Sequence, residues 1–202
     1  MKKFITLALA LCMALSTSIC ASAAEVNTDG GSGSTPVYLS STEDGTLEGD
    51  PSATAMSVTV PTALPMAMSQ TGDVTTADNC QIINNSYGAV RVKSVNITTA
   101  NGWRLTSFGD KSTLASEKVD SNKLGFALSI GGGTQVMTDT SDESSQYLIS
   151  APIAGCYMSG IGNTSGNAVS VDYDAIVTPL SSAVTNANIA NVVFVIEWDT
   201  AA

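Results

Sequence analysis

Val90-Arg91-Val92-Lys93-Ser94-Val95-Asn96-Ile97, VRVKSVNI, carries the pattern that decides the fold. Val90 and Val92 alternate with Arg91 and Lys93, the period of a half-buried strand. The alternation resumes one residue out of phase at Val95 and Ile97. A one-residue slip inside a regular strand predicts a β-bulge near Lys93-Ser94. Similar runs recur. Met56, Val58 and Val60 alternate with Ser57 and Thr59, and Val171, Tyr173 and Ala175 with Asp172 and Asp174. Further strands are predicted at 102–107, 124–130, 134–138, 145–150, 168–177 and 191–198. Turn-forming stretches divide them, such as Asn101-Gly102, Gly131-Gly132-Gly133 and the run from Gly160 to Gly166. Helical periodicity is nearly absent, and at most one short helix is expected, near 181–190. The pattern predicts an all-β fold: one antiparallel β-sandwich over 54–202, Greek-key or jelly-roll-like.

Upstream of that domain the chain changes character twice. Lys2 and Lys3 precede an apolar run from Phe4 to Leu15, which is too short to span a bilayer. Residues 16–24 end in CASAA, so 1–24 reads as an export signal cleaved after Ala23 or Ala24. Residues 25–53 are rich in Gly, Ser, Thr and acid, carry no cation, and offer apolar side chains chiefly at Val37-Tyr38-Leu39. Such a segment buries too little surface to offset its ordering entropy, and reads as a flexible spacer. An exported protein with no insertion into the membrane after signal cleavage is expected. Any attachment to the cell surface would be non-covalent.

Composition excludes several function classes. The full chain has a formal net charge of −10, and losing Lys2 and Lys3 with the signal takes it to −12. An acidic chain with no basic cluster is a poor partner for nucleic acid or anionic lipid. It has no histidine, so Ser-His-Asp and Cys-His relays and His-based metal sites are ruled out. Aromatic residues are only 5% of the chain, too few for an aromatic-lined glycosidase cleft between two carboxylates. The glycines at 131–133 lack the lysine and helix start of a phosphate loop. No catalytic residue is assigned, and a non-enzymatic protein without a resident cofactor is expected.

Some residues invite a binding role. Asp139, Asp142 and Glu143 crowd one loop, while Asp172 and Asp174 share a strand face. Both sets are calcium candidates, and both also fit plain solvated faces. Tyr147 and Tyr157 fall near predicted loops, where they would either contact a ligand or close the ends of a sandwich. In ANGWRLTSF (100–108), Trp103 and Leu105 share one face and Arg104 takes the other. That assigns Trp103 and Leu105 to the core and leaves Arg104 as the contact residue. The run NVVFVIEW (191–198) brings Phe194 and Trp198 into the last strand, which suits a buried central strand or an edge open to augmentation. After signal cleavage Cys80 and Cys156 remain, either as a disulfide or as two buried thiols.

Gly102-Trp103-Arg104-Leu105, together with Trp198 in the final strand, resembles the WxL family of secreted, wall-associated proteins of low-GC Gram-positive bacteria. The second site reads Trp198-Asp199-Thr200 where that family has Trp-x-Leu. IINNSYGAVRVKSVNI (82–97) is similar to camelysin and related biofilm-fibre proteins, which are also exported Gram-positive sandwiches. Both resemblances imply a place outside a Gram-positive cell and a partner that is a cell-wall polymer, another surface protein or a second copy. A wall-binding module, a fibre subunit assembling by strand exchange and a secreted glycan-binding adhesin are the functions that follow.

Overall fold

The computed structural model describes residues 23–33, 55–69, 71–109, 111–162 and 166–200. The apolar run of the expected export signal and most of the expected spacer lie outside the described residues. In chain order the strands are β1 (Ala23–Val26), β2 (Ser32–Gly33), β3 (Val58–Pro61), β4 (Met66–Met68), β5 (Val74–Thr76), β6 (Gln81–Asn84) and β7 (Val90–Thr99). There follow β8 (Arg104–Leu105), the short helix α1 (Lys111–Ala115), β9 (Lys123–Ile130), β10 (Val136–Met137), β11 (Ser145–Ile149), β12 (Tyr157–Met158), β13 (Ala168–Val177) and β14 (Ala190–Trp198). The protein is all-β. Its strands form two main sheets and one small hairpin sheet.

The seven-stranded sheet runs β1-β3-β6-β13-β9-β10, with β8 also joined to β9. The five-stranded sheet runs β11-β7-β14-β2, with β12 joined to β7. One buried cluster draws on both. Val58, Val60, Ile82, Leu124, Phe126 and Leu128 come from the first sheet, and Val92, Ile97, Phe194 and Ile196 from the second. Each large side chain fully buried there contributes about 1.5–3 kcal/mol of transfer free energy. The result is a sandwich-like packing of two apolar faces.

The slip at Lys93-Ser94 is a real bulge. Val195 stands opposite Ser94 and Ile196 opposite Val92, so Lys93 has no cross-strand partner. That extra residue returns the apolar set to the inside: Val90, Val92, Val95 and Ile97 are all buried, on both sides of the break. The outward set is Arg91, Asn96 and Thr98.

Four expectations need correction. Residues 181–189 hold no helix. Ser181 to Asn188 are exposed and Asn186 has a positive φ, so the run has no apolar stripe to pack. The helix forms instead at Lys111–Ala115, where Leu114 is buried. The strand predicted at 102–107 shortens to β8, which pairs parallel to β9 and not antiparallel. Within the expected spacer, residues 25–26 and 29–33 are paired: β1 lies along β3, and the run ending in β2 along β14.

The fourth correction concerns the cysteines. Cys80 and Cys156 are both free thiols, with no disulfide between them. The Cys80 carbonyl accepts from Val171 N–H beside the first sheet, and the Cys156 carbonyl from Val92 N–H on the second. Burial pushes both thiols above the ordinary cysteine value. Tyr173, inside the core, stacks on Phe126. Its hydroxyl donates to the Pro65 carbonyl and accepts from Ala77 N–H, which ties the β4-β5 hairpin to the first sheet.

Candidate functional site

Residues directly opposite in a ladder point to the same face. Tyr147 of β11 stands opposite Asn96, and Tyr157 of β12 stands opposite Arg91. Asn96 and Arg91 face outward, so both tyrosines do too. They are 63% and 47% exposed on the outer face of the five-stranded sheet. Two of the three expected contact residues therefore sit on one surface, each flanking β7. They belong to strands, not to sandwich-end loops.

Charges beside them form a closed network. Arg91 Nε lies 2.8 Å from Glu197 Oε1 and its Nη1 3.4 Å from Asp199 Oδ1. Lys93 Nζ lies 3.1 Å from Glu197 Oε2. Partial burial pushes the Glu197 carboxyl up, but its bonds to Arg91 and Lys93 outweigh this and leave it below the ordinary value. Arg91 is held further into its charged form, first by the Glu197 hydrogen bond. Along the same face Ser145 Oγ pairs with Thr98 Oγ1 at 3.1 Å and with Asn96 Oδ1 at 3.1 Å.

Arg104 lies elsewhere. It projects from β8 in the first sheet, where Nη1 donates to the Asp142 carbonyl at 3.2 Å. Leu105 beside it is fully buried, while Trp103 packs half-buried against the core, as do Phe194 (buried) and Trp198 (half-buried) in β14. The calcium candidates do not converge. Asp172 and Asp174 are exposed, and Asp172 accepts from Ser170 Oγ at 2.9 Å. Asp139 accepts from Gln146 Nε2 at 2.7 Å. Among the described residues no three His, Cys, Asp or Glu side chains come together to hold a metal ion.

Two features were read from the sequence only in outline, one as a turn and the other as a last strand either central or at an edge. The first is the turn Asn84-Asn85-Ser86-Tyr87-Gly88, which enters β7. Asn84 is fully buried, and its Nδ2 donates to Gly88 O at 2.9 Å and Ser159 O at 3.0 Å. Its Oδ1 accepts from Ser86 N at 2.9 Å. Ser86, also buried, accepts from Ser57 N and donates to Ser57 O. Trp198 lies against Gly88 so closely that a Cβ there would come within 2.8 Å of the ring. Any side chain at Gly160 would meet the Tyr87 carbonyl at 1.8 Å. From this braced turn Tyr87 projects 70% exposed.

The second feature is the edge of β14. Asp29 Oδ1 accepts from Trp198 N at 2.8 Å, Gly30 N donates to Ile196 O, and Ile196 N donates to Gly31 O. Ser32 and Gly33 continue the pairing opposite Val195 and Phe194. Compared with known proteins, the chain matches no family model, no curated protein and no solved structure. No helix among the described residues is long and apolar enough to cross a membrane.

Proposed function

We propose that this chain is a non-enzymatic, exported binding module associated with the surface of a Gram-positive cell. The observation that carries the reading is the pair Tyr147 and Tyr157, held on one rigid sheet face beside Arg91 and Lys93. Tyrosine supplies a broad, partly polar contact at low entropic cost, and a sheet face fixes its position. The export signal and the resemblances to WxL and camelysin proteins support the location. Retention on purified Gram-positive cell walls tests it. The mature chain should bind and the Tyr147→Ala, Tyr157→Ala double variant should not, with unchanged melting. A native chain that passes straight through at moderate salt ends this reading.

A self-associating matrix subunit is the second reading, supported by the polar arm at 29–33 that closes the apolar β14 edge. An arm held mainly by backbone bonds can be replaced by the same arm of a neighbouring copy.

A further inference from the structure

We infer that the ligand of this surface is an uncharged, extended polysaccharide lying along β7, with Tyr87 as a third contact residue. This rests on the binding-module reading above. Three observations lead to it.

The first is alignment. Tyr147, Tyr157 and Tyr87 flank or adjoin β7 at Asn96, Arg91 and the turn before Val90. Asn96 to Arg91 covers about 13 Å at ordinary strand rise, allowing for the bulged Lys93. Tyr147 and Tyr157 thus stand outward along one edge of β7, and Tyr87 is carried by the turn that leads into its Arg91 end, an order that suits a chain-like ligand more than a compact one.

The second is preorganisation. The backbone at Tyr87 is fixed by the buried Asn84 amide, by Ser86, and by glycines that admit no side chain at 88 and 160. A ring this exposed on a turn this fixed can stack on a ligand with little backbone ordering cost, leaving only its own two side-chain torsions to settle.

The third is the kind of recognition left available. β7 is paired on one side with β11 and β12 and on the other with β14. Apart from the short bulged stretch at Lys93-Ser94, its length is flanked by paired strands, so an extended peptide has no continuous free edge to augment here. Arg91 and Lys93 are already matched by Glu197 and Asp199. That leaves no net charge to draw an anionic polymer, and the chain as a whole would repel one. Stacking rings with hydroxyl and amide groups between them suit sugar rings, whose C–H faces pack on tyrosine while their hydroxyls meet Lys93 and Asn96.

The test uses the mature chain with insoluble chitin, cellulose and purified walls, and with chito-oligosaccharides from disaccharide to octasaccharide. Retention on chitin or cellulose that survives high salt is expected, with affinity rising along whichever oligosaccharide series binds. Tyr87→Ala, Tyr147→Ala and Tyr157→Ala should each weaken binding roughly three- to tenfold, with melting unchanged. Retention on walls with Tyr87→Ala indifferent would overturn the inference and leave the binding-module reading standing. So would retention on walls alone that protease treatment of the walls abolishes, which identifies a polypeptide ligand, or that high salt abolishes, which identifies a charged one. Retention on no wall and no polysaccharide would sink both.

Discussion

At Trp103 the local pattern and the packing agree. Alternation puts Trp103 and Leu105 inside and Arg104 outside, and the structure has Leu105 fully buried, Trp103 against the core and Arg104 exposed. The same alternation extended to Ser107 puts it on the inward face, but Ser107 is exposed because β8 ends at Leu105. Trp103→Ala is expected to lower unfolding free energy by about 2–3 kcal/mol in a urea titration, below the fully buried range because the ring is half-exposed. Wall retention should survive; its loss with stability unchanged would make Trp103 a contact residue instead. The cysteines show the limit of counting residues. Two thiols in a chain read as exported suggested a bond, but their distance is set by which sheet each flanks. Alkylation under denaturing, non-reducing conditions should label both Cys80 and Cys156, and a native chain should resist labelling at buried Cys156.

Among the elements, the β7 bulge was legible because it is a break in a local period. The Asn84–Gly88 turn was legible only as a turn. That its first amide is buried depends on Ser159, 75 residues away, which no local pattern encodes. Asn84→Ala strands the Ser159 and Gly88 carbonyls, and should cost about 1–3 kcal/mol by chemical denaturation. The β7-β14 pair also carries a pH signature. The folded Glu197 pKa lies below its unfolded value, so its contribution is present above the ordinary glutamate pKa and is lost as pH falls through the depressed folded value. Glu197→Gln should therefore flatten the decline of melting temperature in that acid window while leaving neutral stability lower than wild type.

Over the whole molecule, the N-terminal arm is the largest departure from expectation. Its Thr28-Asp29-Gly30-Gly31-Ser32-Gly33 composition reads as spacer, and by side chains it is one. It is held mainly by backbone groups, with the Asp29 carboxylate on Trp198 N–H, and backbone pairing is something composition cannot report. β1 covers the edge of β3, and residues 29–33 cover the edge of β14, so one short arm closes an edge of each sheet. Deleting 25–33 exposes both. On the strand-exchange reading, light scattering after size-exclusion chromatography should show concentration-dependent self-association of the intact chain, and the truncated chain, with no arm to donate, should not form that assembly. An intact chain that is monomeric at every concentration would count against the strand-exchange reading.

The sequence by itself determined the main strands and the inward faces of β3, β7 and β13, since period-two burial is a local property written in adjacent residues. It also determined what chemistry is excluded, since a chain without histidine has no imidazole to place. Only the tertiary structure decided which strands are neighbours. With that came the alignment of Tyr87, Tyr147 and Tyr157 beside β7, the separation of Arg104 from them, and the closing of β14 by the arm. Those are relations between residues far apart in sequence, fixed when two sheets bury their apolar faces against each other.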